Sequence, residues 1–453
     1  MTLDPERIAQ TTGSAGLAHG LVRVGALFLL ACVLTACGGG GSGGAGGATS
    51  SANAALGDAN VVPVYADGGG ALALAYTLPN AIYADVKICA PASTDNCAVI
   101  PHLLVDTGSV GLRVLASALN AANPSLLAAL PQTSTAASSV VGECLPFTSG
   151  TTWGGVRSAD LHWGGTGYGG TTVANLPLQV IGDTDPHVAT VPSACSNQGA
   201  PMQTAAKLAA NGILGIGLFA QDCGAYCAQS TSTPAPIYYA CTNAGSCNAI
   251  SLATAWQIQN PVAAAATDNN GTLISLPSGA AAQASGLLVL GIGSRANNAV
   301  PAASTILATD ATGNFTASFN GNTLPKSFLD SGSTANFMPT SGAVSLPECT
   351  SAPLAGTGYL CPGSSLTLLA DNTGQSSTSG TADVLVIDAN NAMSAQPGYN
   401  VLPGLAADGG SVAANPTLDL GASFFFGRTI TTLIENRSAP GISVDGPALG
   451  YTP

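Results

Sequence analysis

Two short segments of the chain repeat one pattern, in which an apolar run is followed by Asp, a hydroxyl residue, Gly and a second hydroxyl residue. The first occupies residues 102–109 and contains Asp106, and the second occupies residues 327–333 and contains Asp330. They hold the only two Asp-(Ser/Thr)-Gly tripeptides in the sequence. An apolar strand that ends in this way delivers a carboxylate to the end of a buried strand, and the glycine lets the backbone turn sharply beside it.

Two such strands could bring their carboxylates face to face. Because like charges a few ångströms apart cannot both ionise, the pair would share one proton. A pair of this kind can hold and activate a water molecule between its two acids. An isolated Asp-Ser-Gly is most often only a turn, so it is the repetition in matching apolar contexts that favours a catalytic pair.

Residues 1–36 have the features of a secretory signal. Two arginines, Arg7 and Arg23, come before an apolar stretch at residues 24–34. That stretch is too short and wrongly flanked for a helix that spans a membrane. We therefore expect this segment to direct export of the protein.

The end of the signal resembles a bacterial lipobox, in which cleavage leaves a cysteine that carries lipid. Residues 34–37 read Leu-Thr-Ala-Cys, which makes Cys37 the predicted lipidation site and Gly38 its neighbour. Gly38 is not the aspartate that commonly retains such proteins at the inner membrane, so we expect a cell-envelope protein anchored in the outer membrane. The alternative is an ordinary signal that is cleaved after Ala36. The Gly/Ser-rich residues 37–60 cannot bury a core and predict a flexible tether.

The composition favours an exported, β-rich protein. Only 7% of the residues are charged, against about 25% in typical soluble domains. Gly, Ala, Ser and Thr take the place of charged residues, and together with many short apolar runs they favour strands over helices. The net charge of −13 makes polyanions poor partners, so we expect no nucleic-acid binding. The remaining chain is long enough for two domains, which we place at residues 61–260 and 261–453.

Ten cysteines remain outside the signal and the predicted lipid site. An even number in an exported chain predicts disulfides. The pairs expected first are Cys89–Cys97 and Cys349–Cys361, with Cys144–Cys195 as a third. The four cysteines between residues 223 and 247 allow several pairings. A zinc site is the alternative there, although the spacings match no familiar zinc module.

The order of segments also repeats. In each half an acid motif is followed, much later, by an apolar segment that contains glycine, at residues 211–217 and 420–426. This repeated order indicates a duplication.

These segments resemble the pepsin-like aspartic peptidases. Residues 211–215, Asn-Gly-Ile-Leu-Gly, are similar to that family's Asp-Gly-Ile-Leu-Gly, residues 420–428 and 448–451 resemble its closing motifs, and residues 287–291 resemble a strand early in its second lobe. The resemblance covers most of residues 61–453 and implies an all-β, bilobal double β-barrel with a cleft between homologous lobes. The whole chain also resembles a family of bacterial lipoproteins known only as a domain of unknown function, which implies no activity.

The resemblance implies a role for each residue of the two motifs. Asp106 and Asp330 match the catalytic acids: one, ionised, takes a proton from a bound water, and the other, protonated, donates to the peptide carbonyl oxygen. Thr107 and Ser331 match the inner hydroxyls that bind across to the opposite loop.

The remaining motif residues match supporting positions. Ser109 and Ser333 match the outer hydroxyls that bind each carboxylate. Gly108 and Gly332 match the glycines that let the backbone approach the acids. The resemblance implies no metal and no organic cofactor.

The sequence departs from the family pattern at the flap, the hairpin that closes over substrate. The family has a tryptophan seven residues after its first acid, bound to a flap tyrosine; here that position is Arg113, and the expected flap, residues 147–155, has no tyrosine. We expect a redesigned flap in which Trp153 excludes water, with Trp153 and Arg113 as its substrate or flap residues. The alternative is that Trp153 only packs under a hairpin. Asp419 is a further departure, because the family has an apolar residue there.

The leading expectation is a lipid-anchored endopeptidase that cuts extended peptides lying beneath the flap. The competing hypothesis is a non-catalytic envelope lipoprotein that binds a peptide or glycan on the same scaffold, and a purely structural envelope protein is a third. We expect a monomer whose partners are a peptide or protein substrate and, through the lipid on Cys37, the membrane.

Overall fold

The computed structural model describes residues 54–453 apart from residues 73, 75–77, 136–138, 230, 232 and 244. The predicted signal, the predicted lipidation site Cys37 and most of the predicted tether lie outside the described residues. Among the helices of the described part, none is long and apolar enough to cross a membrane.

Strands make up most of the regular structure, as the composition predicts. In chain order they are β1 (Val61–Ala66), β2 (Tyr83–Cys89), β3 (Cys97–Asp106), β4 (Val110–Leu115), β5 (Val140–Phe147), β6 (Gly150–Trp163), β7 (Thr171–Ile181), β8 (Gly212–Ile216), β9 (Tyr238–Cys241), β10 (Cys247–Ala249), β11 (Gly271–Ser275), β12 (Ala284–Leu290), β13 (Thr305–Ala308), β14 (Phe315–Phe319), β15 (Asn322–Asp330), β16 (Asn336–Met338), β17 (Leu366–Thr373), β18 (Ser379–Val386), β19 (Ala406–Asp408), β20 (Asp419–Gly421), β21 (Thr429–Leu433) and β22 (Ala448–Tyr451).

The helices are short. The α-helices are α1 (Ala116–Ala122), α2 (Leu126–Ala129), α3 (Ser193–Ser196), α4 (Ala205–Leu208), α5 (Ala225–Ala228), α6 (Ala389–Ala395) and α7 (Ala422–Phe425), and the 3-10 helices are Gly70–Leu72, Thr166–Tyr168 and Thr254–Trp256. The expectation of a mostly β protein is therefore confirmed.

The strand that carries Asp106 changes character along its length. β3 alternates between buried and exposed residues at its start and is almost wholly buried from His102 to Asp106. Alternation is typical of a strand with one solvated face, and a continuous apolar run of a strand covered on both faces. β8, which pairs with this end of β3, is buried at every position. The chain therefore places the first acid at the end of a fully covered strand.

The larger of the two sheets has 15 strands, in the order β10-β9-β5-β6-β7-β4-β8-β3-β2-β1-β12-β11-β21-β22-β13. An additional pairing of β6 with β2 closes β2, β3, β8, β4, β7 and β6 into a six-stranded barrel. From β1 onward the sheet combines an N-terminal strand with strands of the C-terminal half, because β1 pairs with β12. The two halves of the chain are thus joined through one continuous ladder.

The second sheet has the order β18-β17-β14-β15-β20-β16-β19 and contains the strand that ends at Asp330. Its centre repeats a unit of the first sheet. β3 runs parallel to β8, which is antiparallel to β4, as β15 runs parallel to β20, which is antiparallel to β16. The registers also match, since Asp106 lies opposite Gly215 and Asp330 lies opposite Gly421. The repeated order seen in the sequence corresponds to this repeated unit.

The two acid-bearing strands share one core. Val105 and Leu214 from the first unit and Leu329 and Leu420 from the second belong to the same apolar cluster, and each is at most 2% exposed. Burying a side chain of this size contributes roughly 1.5–3 kcal/mol. The strands beneath both acids are therefore held by a continuous apolar interior.

All ten cysteines outside the signal and predicted lipid site form disulfides. The three expected pairs, Cys89–Cys97, Cys144–Cys195 and Cys349–Cys361, are confirmed. The four cysteines whose pairing the sequence left open form Cys223–Cys227 and Cys241–Cys247. Their thiols are not free to bind zinc, so the zinc alternative is wrong.

We expect the Cys144–Cys195 disulfide to contribute most to stability. It closes the longest loop, with a sequence separation of 51, whereas Cys241–Cys247 has a separation of 6. In the chain-entropy model, removing the longer link by Cys144→Ala/Cys195→Ala should cost about 4 kcal/mol and removing the shorter one about 2 kcal/mol. Chemical unfolding of both double variants measures the difference. Equal losses would contradict the loop-length argument.

Candidate functional site

Asp106 and Asp330 occupy matching places in the two repeated units. Asp106 is the last residue of β3 and Asp330 is the last residue of β15. Each strand is paired in parallel with a buried strand, β8 or β20, up to the acid itself. The two residues are 6% and 2% exposed, respectively.

The hydroxyls that follow the two acids link the loops to each other. The backbone N–H of Thr107 donates to Ser331 Oγ at 3.0 Å, and the N–H of Ser331 donates to Thr107 Oγ1 at 2.9 Å. Each hydroxyl then donates to a carbonyl of the opposite strand, Ser331 to Val105 at 2.7 Å and Thr107 to Leu329 at 3.4 Å. This reciprocal set fixes the loops against each other without using either carboxyl.

Each carboxyl also accepts hydrogen bonds from its own loop. Asp106 accepts from the Gly108 N–H at 2.8 Å, from the Ser109 N–H at 3.1 Å and from the Ser109 hydroxyl. Asp330 accepts from the Gly332 N–H at 2.7 Å and the Ser333 hydroxyl at 3.0 Å. Hydrogen bonds to a carboxylate favour its ionised form, and Asp330 accepts one fewer of them than Asp106.

The glycines at Gly108 and Gly332 are needed because each loop backbone lies against the opposite acid. A Cβ on Gly108 would lie 2.7 Å from Asp330 Oδ1. A Cβ on Gly332 would lie 2.8 Å from Asp106 Oδ1 and 3.1 Å from Asp330 Oδ1. Asp106 Oδ1 and Asp330 Oδ1 therefore both lie close to the point that a Cβ of residue 332 would occupy, so the two carboxyls are neighbours.

The environment of Asp330 favours its protonated form. Burial, and then the charge of Asp106, raises the pKa of Asp330 to about 8, and a hydrogen bond with the Asp106 carboxyl acts in the same direction. The smaller number of hydrogen-bond donors to Asp330 agrees with this direction. Two carboxyls with opposite protonation states can act as base and acid at one point.

A third carboxyl reaches the pair through Ser333. Asp419, on β20, is completely buried, and its Oδ2 lies 2.7 Å from Ser333 Oγ, at hydrogen-bonding distance. Burial, then the neighbouring Asp330, raises the pKa of Asp419 well above its ordinary value. The sequence marks this acid only as unusual in an apolar strand and does not place it in the site.

Arg113 does not have the position expected of a substrate or flap residue. It is completely buried on β4, and its guanidinium contacts Glu143 on β5 at 2.6 Å and Asp222 at 3.2 Å. It also donates to the Val110 carbonyl, and Tyr238 donates to the Asp222 carboxyl at 2.6 Å. Burial and the neighbouring Glu143 raise the pKa of Asp222 well above its usual range. The arginine is the centre of a buried charge cluster, and no local pattern of the sequence points to its two acidic partners.

Trp153 belongs to the packing of the β5–β6 hairpin. It is 1% exposed, its ring meets the edge of Tyr239, and its Nε1 donates to the Val188 carbonyl at 2.6 Å. A side chain held in this way cannot cover a substrate at the same time. Of the two interpretations of Trp153, these contacts fit the one in which it packs within the hairpin.

The fold and the site define a mostly β protein in which two matching loops hold a pair of buried carboxyls. A family model described as Protein of unknown function (DUF3443) matches residues 57–451. The chain belongs to this family. No curated protein matches the sequence significantly.

We expect Thr107→Val to weaken the link between the two loops. Valine has a similar shape but cannot accept the Ser331 N–H, so a buried donor loses its partner, at a cost of about 1–3 kcal/mol. Thr107→Ser is the matched control, since the second loop already uses serine at the equivalent position. Chemical unfolding of both variants checks this, and a loss as large in the serine variant would contradict it.

We expect Arg113→Leu to destabilise the protein in a pH-dependent way. It leaves Glu143 and Asp222 buried without a cation, which should cost about 3–5 kcal/mol near neutral pH. The loss of stability should shrink as the pH falls, because protonated carboxyls need no cation. Over this range the folded variant binds more protons than its unfolded chain, so lower pH favours the folded state. The triple variant Arg113→Leu/Glu143→Gln/Asp222→Asn should recover part of the stability. A loss that does not change between about pH 4 and 7 would contradict this explanation.

Proposed function

We propose that the protein is an exported, lipid-anchored aspartic endopeptidase in which Asp106 and Asp330 activate a water molecule. The observation that carries the proposal is the pair of matching acid loops, joined by reciprocal hydrogen bonds of Thr107 and Ser331 and placing the two carboxyls side by side. A structural turn has no need of two adjacent buried acids, since like charges destabilise each other.

We also propose that the fold is a pepsin-like, bilobal double barrel, with lobes at residues 61–260 and 261–453 and a cleft between them. The repeated strand unit supports this, because each unit ends in one acid and the pair forms where the units meet. The six-stranded barrel and the second sheet provide a strand framework for the two lobes.

In the proposed reaction a water bound between the carboxyls attacks the peptide carbonyl carbon. Asp106, ionised, takes one proton from the water as the new C–O bond forms. Asp330 gives its proton to the carbonyl oxygen, so the tetrahedral intermediate is neutral and the net charge of the pair is unchanged. As the C–N bond breaks, Asp106 gives its proton to the leaving nitrogen and one hydroxyl of the intermediate returns a proton to Asp330. The products are a carboxylic acid and an amine, and the pair is back in its starting state.

The alternative is a non-catalytic lipoprotein that binds a peptide or glycan on the same scaffold. Two observations favour it. Asp106 and Asp330 are only 6% and 2% exposed. In addition, Arg113 and its buried charge cluster stand where the pepsin-like peptidases have a tryptophan that contacts the flap. In either case we propose a monomer attached to the outer membrane through Cys37.

We expect cleavage of a diverse peptide library by the purified protein, with a pH profile set by the acid donor. Because the pKa of Asp330 is raised to about 8, the donor stays protonated at neutral pH, so cleavage should persist there and fall as the pH rises through about 8. Asp106→Asn and Asp330→Asn should each lower kcat/KM by at least about 100-fold. Mass spectrometry of the products measures both effects.

The exposed Asp95→Asn serves as the matched control and should retain full activity. A pepstatin-type inhibitor should compete with the peptides, because it imitates the tetrahedral intermediate. If wild type and Asp106→Asn bind the same peptides and neither cleaves them, the binding function replaces the peptidase.

A further inference from the structure

The repeated units differ at one position that lies beside the acid pair. On β8 the residue opposite Leu104 is Ile213, and on β20 the residue opposite Phe328, at the same place in the register, is Asp419. Ser109, the outer hydroxyl of the first loop, donates to Asp106. Ser333, the outer hydroxyl of the second loop, contacts both Asp330 and Asp419, at 3.0 and 2.7 Å. The chemical symmetry of the site is broken there.

The number of hydrogens limits how this contact can be made. The Ser333 hydroxyl has one hydrogen and cannot donate to two carboxylates at once. Asp419 is completely buried, its Oδ1 has no hydrogen-bond partner, and none of the described Lys, Arg or His residues forms an ion pair with it. An ionised carboxylate in that setting would be uncompensated, whereas a neutral acid can donate to Ser333.

The charged groups that face Asp419 favour the same state. Asp330 approaches from β15 and Asp106 from the end of β3, and both are acids. β16, the other neighbouring strand, carries no titratable side chain in Asn336–Met338. A second or third negative charge is therefore unfavourable at this position.

We infer that Asp419 is a neutral carboxylic acid that donates a hydrogen bond to Ser333 Oγ. The Ser333 hydroxyl is thereby oriented to donate its own hydrogen bond to Asp330. Asp419 is a positioning residue, because it acts on Asp330 through Ser333. The resulting hydrogen bonds run in one direction, from Asp419 to Ser333 to Asp330 Oδ2. Asp330 Oδ1, beside Asp106, then carries the proton that the two acids share. The site would hold two protons on three carboxyls. The catalytic consequence rests on the proposed peptidase function, but the protonation of Asp419 does not.

The protonation state is tested by comparing wild type with Asp419→Asn and Asp419→Ile, neither of which titrates at this position. A neutral Asp419 gives the folded protein one more proton than the unfolded chain above the ordinary aspartate pKa, so wild type loses stability relative to both variants as the pH rises. The ratio of the folding constants, variant over wild type, should increase about tenfold per unit above about pH 4. An opposite slope, or no slope in either variant, would overturn the inference.

Infrared spectroscopy gives an independent measurement at neutral pH. The carbonyl stretch of a protonated carboxyl should be present in wild type and lose one component in Asp419→Asn and another in Asp330→Asn. If the Asp419→Asn spectrum retains every protonated-carboxyl component of wild type, Asp419 is ionised and the inference fails. This outcome does not depend on whether the protein cleaves peptides.

The effect on Asp330 is tested by the two replacements of Asp419. Asn can donate from Nδ2 to Ser333, whereas Ile, the residue of the symmetric position, cannot. Asp419→Asn should retain at least tenfold more peptide cleavage than Asp419→Ile, and Ser333→Ala should remove the difference between them. If both variants lose activity equally while the infrared result holds, the positioning role is wrong. If wild type itself cleaves nothing, the proposed peptidase function fails and the protonation result stands.

Discussion

The candidate site depends on keeping two acids together in a place where neither can be fully solvated. Two ionised carboxylates in contact and almost buried would repel each other and lose their hydration. The loops that carry them must therefore be fixed by interactions that do not depend on carboxyl charge. The reciprocal bonds of Thr107 and Ser331 provide this, and the shared apolar cluster beneath both strands supports the loops from the interior.

A duplicated framework places the acids symmetrically, but their chemistry needs an asymmetry. An acid and a base that were identical would divide the proton equally, and neither would have a fixed role. Here Asp106 receives three hydrogen-bond donors and Asp330 two. Asp419, at the register position of Ile213, also gives the outer serine of the second loop a second carboxyl partner. The backbone repeat thus supplies the geometry, and a few side chains determine where the charge lies.

What could be predicted from the sequence reflects how locally each feature is encoded. The acid loops were predictable because Asp, hydroxyl and Gly are adjacent, and the Cys89–Cys97 pair because its members are close in the chain. Asp419 could not be placed beside Ser333, 86 residues away, because its strand gives no sign of which loop it meets. The partners of Arg113, at separations of 30 and 109 residues, were equally hidden. Long-range pairing of charges leaves no periodic pattern, so the burial of the arginine against two acids could not be predicted.

The Arg113 cluster also limits how the β5–β6 hairpin can move. An aromatic contact can slide or tilt at small cost, because dispersion has little directionality. A buried arginine cannot leave Glu143 and Asp222 without exposing unpaired charges to an apolar interior. The strand that leaves the first acid loop is therefore held to β5 as one rigid piece. Beyond Glu143 the hairpin is tied further, by the Cys144–Cys195 disulfide and by hydrogen bonds from Thr151 to the carbonyls of Gly199 and Ala200. This restriction applies equally to a peptidase and to a binding protein.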